Sequence, residues 1–126
     1  MRVFKNKWFN HWASREGISD DVLFGAAKEI IIGNVEANLG GYLFKKRLPR
    51  QGKGKSGGYR VIVGFKKQNN DRIIYLYGFS KSQAATISKK EEAALKMVSS
   101  EFVAYSDEQI SRLIQQQYIM EVLSNE

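Results

Sequence analysis

The chain has 126 residues, enough for one domain with a buried core, and its 43% hydrophobic content argues against disorder. Its 20 Lys and Arg against 13 Asp and Glu give a formal charge of +7, and it has no cysteine and one histidine. Disulfides and thiolate metal sites are thereby excluded, a transition-metal enzyme is disfavoured, and neither a metal nor a cofactor is expected. No apolar run approaches the ~20 residues that cross a bilayer, and the start lacks the apolar stretch of a signal peptide. The expectation is a cytoplasmic protein without a membrane partner, residues 1–126 forming a single domain.

In chain order, a short extended piece precedes Trp8, Phe9 and Trp12, whose spacing predicts a helix ended by Gly17. Ser19 is a natural N-cap for a second helix, with Asp20 and Asp21 in the first turn, where the helix dipole favours acids. Val22, Leu23, Ala26, Ala27, Ile30 and Ile31 then repeat at three-to-four spacing. Gly40-Gly41 marks a break. Strands are predicted over 42–48, 59–67 and 72–80, with a Gly-, Ser- and Lys-rich loop over 50–58 and a hairpin turn at 68–71.

Residues 72–80 are apolar on both faces, which places them centrally in a sheet. Ser88 to Glu91 has capping-box spacing, followed by Ala94, Leu95, Val98 and Phe102 as an expected buried stripe. Ser106 to Gln109 repeats that spacing ahead of Ile110, Leu113, Ile114, Tyr118 and Val122. The order predicts an α+β fold: an N-terminal helical hairpin, a central antiparallel sheet and C-terminal helices.

Charge is not spread evenly. Residues 37–70 carry nine basic side chains and no acidic one, so the remainder holds 11 basic and all 13 acidic residues. A solubilising surface mixes signs. A one-sign block of this size is the footprint of a face that binds a polyanion, most often nucleic acid.

The densest run is Gly52-Lys53-Gly54-Lys55-Ser56-Gly57-Gly58-Tyr59-Arg60. Its first five residues end in Gly-Lys-Ser, but this is no Walker A loop, since Pro49 stands where that motif needs its upstream glycine and a strand, not a helix, follows. A better reading is a backbone-lined concavity ringed by cations. Glycines let a phosphate approach the main chain, and the planar fork of Arg60 suits a pair of phosphate oxygens.

Together with Lys45-Lys46-Arg47-Leu48 and Tyr77-Gly78-Phe79-Ser80-Lys81, this run resembles the RelE/ParE superfamily of type II toxin–antitoxin toxins, closest to the RelE- and HigB-like branch. The resemblance implies a RelE-like, microbial-ribonuclease-like fold. It also implies cleavage of messenger RNA on the ribosome, and hence inhibition of translation. The expected partners are ribosome-bound mRNA and a cognate antitoxin, a helix-turn-helix protein encoded next door.

By motif position, Arg60 matches the arginine that contacts the scissile phosphate, and Lys53 with Lys55 matches a lysine pair before it. Lys81 falls near a second basic catalytic position, usually arginine in RelE. RelE also uses a late tyrosine that has no counterpart in the motif region here; Tyr105 and Tyr118 fall in expected helices. Lys45, Lys46, Arg47, Arg50, Ser56 and Tyr59 complete the expected RNA-binding group.

The residue types fit metal-independent RNA cleavage. The 2′-hydroxyl must lose a proton and attack phosphorus, the phosphorane charge must be stabilised, and the 5′-oxygen must be protonated. Clustered cations disfavour one another's charge, which lowers a lysine pKa from about 10.4 toward that of a usable base. Arg60, always charged, would stabilise the transition state; as an exposed strand arginine it should be dispensable for folding.

Other residues have plainer readings. His11, between Trp8, Phe9 and Trp12, reads as packing or surface. Tyr75, Tyr77 and Phe79 alternate on one strand face and read as core more readily than as base-stacking platforms. Rival functions are a non-catalytic RNA- or ribosome-binding module and a ParE-like gyrase-inhibiting toxin, which would not need Lys53, Lys55 and Arg60.

Overall fold

The computed structural model describes residues 1–50, 54–67, 71–82 and 86–124, with the backbone alone for 54–57. The described elements are β1 (Arg2–Asn6), α1 (Lys7–Glu16), α2 (Asp20–Ile31), β2 (Ala37–Gly40), β3 (Leu43–Arg50), β4 (Gly54–Phe65), β5 (Arg72–Ser80), α3 (Lys89–Ala104), α4 (Asp107–Gln115) and β6 (Ile119–Val122). The strands form one six-stranded sheet in the order β2-β3-β4-β5-β1-β6.

This corrects the expected layout of helical hairpin, antiparallel sheet and terminal helices. The first element is a strand, β1, inserted beside β5 in parallel register, so the sheet is mixed. The last is also a strand, β6, paired antiparallel with β1. The physical reason is burial. Val3 and Phe4 are fully buried on opposite faces, which two neighbouring strands and both helical layers make possible. Strands of five and four residues are too short to show a period against polar neighbours.

The terminal helix expected to run through Val122 stops at Gln115. Gln117 adopts a left-handed φ of 62°, and Tyr118 N–H donates back to the Leu113 carbonyl at 3.0 Å, turning the chain into β6. The Gln115-Gln116-Gln117 run is therefore a corner rather than uninterrupted helix.

Local signals elsewhere act as their chemistry dictates. Asn6 Oδ1 accepts from Phe9 N–H at 2.7 Å and caps α1, while Gly17 ends it at φ 71°. Ser19 caps α2, and Ser88–Glu91 and Ser106–Gln109 both form complete capping boxes. The α3 C-terminus receives its cation from the sheet: the buried Arg72 guanidinium donates to the Phe102 and Tyr105 carbonyls.

α1 and α2 cover one face of the sheet, burying Trp12, Leu23, Ile30, Leu48, Tyr59, Val61 and Tyr75 among others. α3 and α4 cover the other, with Phe4, Leu43, Ile62, Leu76, Phe102 and Ile110. Two glycines admit these layers. A methyl at Gly78 would overlap the Trp12 ring, and one at Gly64 would lie 2.6 Å from Ser99 Oγ.

Ser99 in turn donates to the Tyr42 carbonyl at 2.6 Å. This close approach turns α3 so that Leu95, Ser99, Phe102 and Val103 face inward. Ala94 and Val98, expected in the stripe, are exposed. A bulge in β5 opposite Ile62 and Val63 also breaks the expected alternation. Tyr75 pairs with Val63 in the first core, whereas Tyr77 pairs with Ile62 and packs on the second.

Candidate nucleic-acid interface

The expected loop over 50–58 is largely strand, because β4 already begins at Gly54. Pro49 lies inside β3, where the β3–β4 register shifts between Leu48 and Arg50, as the missing N–H of proline requires. The register brings three segments of the basic motif to one end of the sheet. Arg50 pairs with Gly54, Tyr59 pairs with Ser80, and Lys81 N–H donates to the Gly58 carbonyl at 3.1 Å. The Arg50 guanidinium lies 5.6 Å from the centre of the Tyr59 ring. Lys81 is exposed in the turn that follows β5, and Ser80 Oγ lies 3.1 Å from Ser82 Oγ beside it.

Lys53 lies outside the described residues, and so do the side chains of Lys55 and Ser56, although both stand on the backbone of β4. Tyr59, expected at the RNA surface, is 4% exposed and packs edge-on against Trp12 at 5.4 Å. Burial, then the neighbouring Glu16, pushes its phenol pKa upward. It anchors the site from below and presents its ring to Arg50.

The main departure from expectation concerns acids. The segment 37–70 contains none, yet two from just before it fold onto its cations. Arg60 is not exposed: its side chain is 5% accessible, and its Nε lies 2.8 Å from Glu36 Oε2. Arg47, its cross-strand partner, places Nε 3.4 Å from Glu36 Oε1. One carboxylate thus bridges two guanidiniums.

Lys46, assigned to the RNA-binding group by its sequence, is buried. Its ammonium lies 3.0 Å from Glu29 Oε1 and donates to the Asn34 carbonyl at 2.8 Å. It joins β3 to the end of α2 instead of presenting charge to solvent. Lys45, on the opposite face of the strand, is half-buried, while Arg47 and Arg50 are exposed. A pocket of about 360 Å³ lined by Asn34, Val35, Glu36, Lys46 and Arg47 opens beside the bridging carboxylate.

Glu36 and Glu29 are the residues that sequence reasoning missed. The available signal was position: Glu36 stands one residue before the acid-free block. Among the described residues no three His, Cys, Asp or Glu side chains cluster as a metal site, and no helix is long and apolar enough to cross a membrane.

The comparison with known families supplies the class: the protein is a toxin of a toxin–antitoxin system. The family described as "RelE toxin of RelE / RelB toxin-antitoxin system" matches residues 1–122, nearly the whole chain, and the chain belongs to it. No curated protein and no solved structure matches.

Proposed function

We propose that this RelE-family toxin is a ribosome-dependent mRNA endoribonuclease that inhibits translation, with residues 1–126 acting as one toxin domain in the cytoplasm. The observation that carries the reading is the convergence at one sheet end of Arg50, the glycine-bearing start of β4 and Lys81, within a family of toxins. The backbone there gives phosphate a close approach, and exposed Arg50 and Lys81 supply charge without acidic neighbours in the motif.

In the proposed reaction the RNA 2′-oxygen attacks phosphorus and the bond to the 5′-oxygen breaks. The products are a 2′,3′-cyclic phosphate and a 5′-hydroxyl. Lys53 or Lys55 takes the 2′ proton, the Lys81 ammonium or a water beside it gives a proton to the leaving 5′-oxygen, and Arg60 offsets the phosphorane charge. Lys45, Arg47, Arg50 and Ser56 hold flanking phosphates, with Tyr59 supporting Arg50. No metal takes part. A RelB-type antitoxin, a helix-turn-helix protein encoded next door, would cover the basic face with acidic side chains.

The site has no His pair, and alignment of the 2′-hydroxyl with the leaving oxygen contributes several kcal/mol to such reactions. A decoding site that grips the mRNA supplies that alignment. The test is single-turnover cleavage of one labelled mRNA with and without programmed ribosomes at fixed low salt, with product ends identified. Fast cutting on ribosomes and little on free RNA is expected; equal rates would overturn ribosome dependence.

One observation favours a second reading, a binding module that does not cut. Arg60 is held in a buried ion pair, as a purely structural arginine would be. Tight ribosome binding with no cleavage in either arm would select it.

A further inference from the structure

The Glu36 bridge has a geometry of its own. Arg47 and Arg60 sit directly opposite each other on β3 and β4, and their Nε atoms approach the two oxygens of one carboxylate at 3.4 and 2.8 Å. Two guanidiniums at cross-strand distance repel, so an anion between them is stabilising. We propose that this position is a phosphate seat that Glu36 masks, and that a backbone phosphate of bound RNA displaces Glu36 from it. The proposal rests on the RNA-binding reading above.

Three features favour exchange over a permanent structural pair. The first is valence and shape: a phosphodiester carries the same single charge as the carboxylate, and its tetrahedral oxygens bridge two arginine forks readily. The second is the quality of the bond. Glu36 Oε2 is buried and 2.8 Å from Arg60 Nε, yet it accepts no aligned hydrogen bond among the described residues, so attraction between charges holds it more than directed bonding does. A competitor with better-placed oxygens gains what Glu36 forgoes.

The third is access. Glu36 enters from the bend before the four-residue edge strand β2, a part of the sheet with one neighbour only. The Arg47 side chain is 49% exposed, and the 360 Å³ pocket beside Glu36 opens onto it. Arg60, 5% exposed, forms the floor of the seat and Arg47 its rim. Glu36 would thus offset one of the two charges of the arginine pair until RNA arrives, and withdrawing it would uncover Arg60 for the reaction proposed above.

The experiment compares wild type with Glu36→Gln, which keeps the shape and removes the charge. Thermal unfolding is followed as inorganic phosphate replaces chloride at constant ionic strength. Affinity is read by fluorescence anisotropy with an oligonucleotide whose 2′-deoxy residues prevent cleavage. The expected result is a variant destabilised in chloride and restabilised by phosphate far more than wild type, binding the oligonucleotide at least about tenfold more tightly, as loss of a competing charge-assisted contact implies. Adding Arg47→Ala should abolish the phosphate response.

Equal phosphate responses, or weaker oligonucleotide binding by Glu36→Gln, would overturn the proposal and leave Glu36 as scaffold. If Glu36→Gln folds in neither buffer, Glu36→Asp, which retracts the carboxylate by one methylene, takes the same two measurements with the same criteria. Neither readout requires cleavage. Tighter binding by the variant without cutting on ribosomes keeps the seat and removes the nuclease reading, whereas a phosphate response without RNA binding by either protein removes RNA as the occupant.

Discussion

The two halves of the sheet solve burial differently. The half made of β5, β1 and β6 is closed by apolar side chains: Val3, Phe4, Ile73, Ile74 and Tyr75 are at most 3% exposed, and Trp12 fills the space that Gly78 leaves. Its one buried cation among the described residues, Arg72, donates to the backbone carbonyls at the end of α3, and Arg2 meets Glu121 at the sheet edge. The half made of β2, β3 and β4 instead buries cations against carboxylates. Lys46 and Arg60 lie inside it, each matched to a glutamate drawn from the α2–β2 segment. Buried ion pairs contribute little net stability compared with apolar packing, because desolvation offsets their attraction. Under the function proposed above, these pairs would hold the cations of the basic motif in place for a polyanion rather than add stability.

The largest effect that would break this comparison is at Arg60. Arg60→Ala leaves the charge arrangement of the buried half unbalanced and should cost ~3–5 kcal/mol in urea unfolding. A loss below ~1 kcal/mol would return Arg60 to the status of a surface residue. The consequence for growth assays is direct: relief of arrest by Arg60→Ala implicates catalysis only if the variant is shown to be folded.

Next is the apolar half. Gly78→Ala forces a methyl into the buried Trp12 ring and should cost ~1–3 kcal/mol by overpacking, visible as a lowered Tm. A neutral result would mean that the Trp12 layer yields easily and that this half is no better packed than the charged one.

Tyr75→Phe is smaller. The Tyr75 hydroxyl donates to the Leu23 carbonyl at 2.6 Å, and burial drives its pKa upward, so it stays a donor at ordinary pH. Its loss should cost ~1 kcal/mol in urea unfolding. An unchanged midpoint would show that this half depends on shape alone.

The smallest effect is at the sheet's far edge. The Arg2 hydrogen bond holds the Glu121 carboxyl below its ordinary range, at an ion pair of 2.8 Å that is partly open to water. The folded pKa is lower than the unfolded one, so the contribution is present above about pH 4.3 and fades as pH falls through the folded value. Glu121→Gln should cost less than ~1 kcal/mol at neutral pH, and its stability should converge with wild type in acid. A gap that persists in acid would assign the effect to packing.

The sequence by itself determined the elements whose signals are local. Asn6 apart, the helix caps at Ser19, Ser88 and Ser106 were legible, as were the α2 period, the central place of β5 and the basic block, because capping and amphipathic spacing act within a few residues. The family was legible for a similar reason, since the glycine–lysine run and its arginine are contiguous.

Tertiary structure decided the rest. It inserted β1 and β6 into the sheet, where burial on both sides outweighs the weak propensity of four or five residues. It turned α3 on Gly64 and Ser99, a contact between positions 35 residues apart. It also folded Glu29 and Glu36 onto cations that stand in an acid-free stretch only along the chain. Charge composition is linear in sequence, but electrostatic pairing depends on distance in space, and only the fold sets that distance.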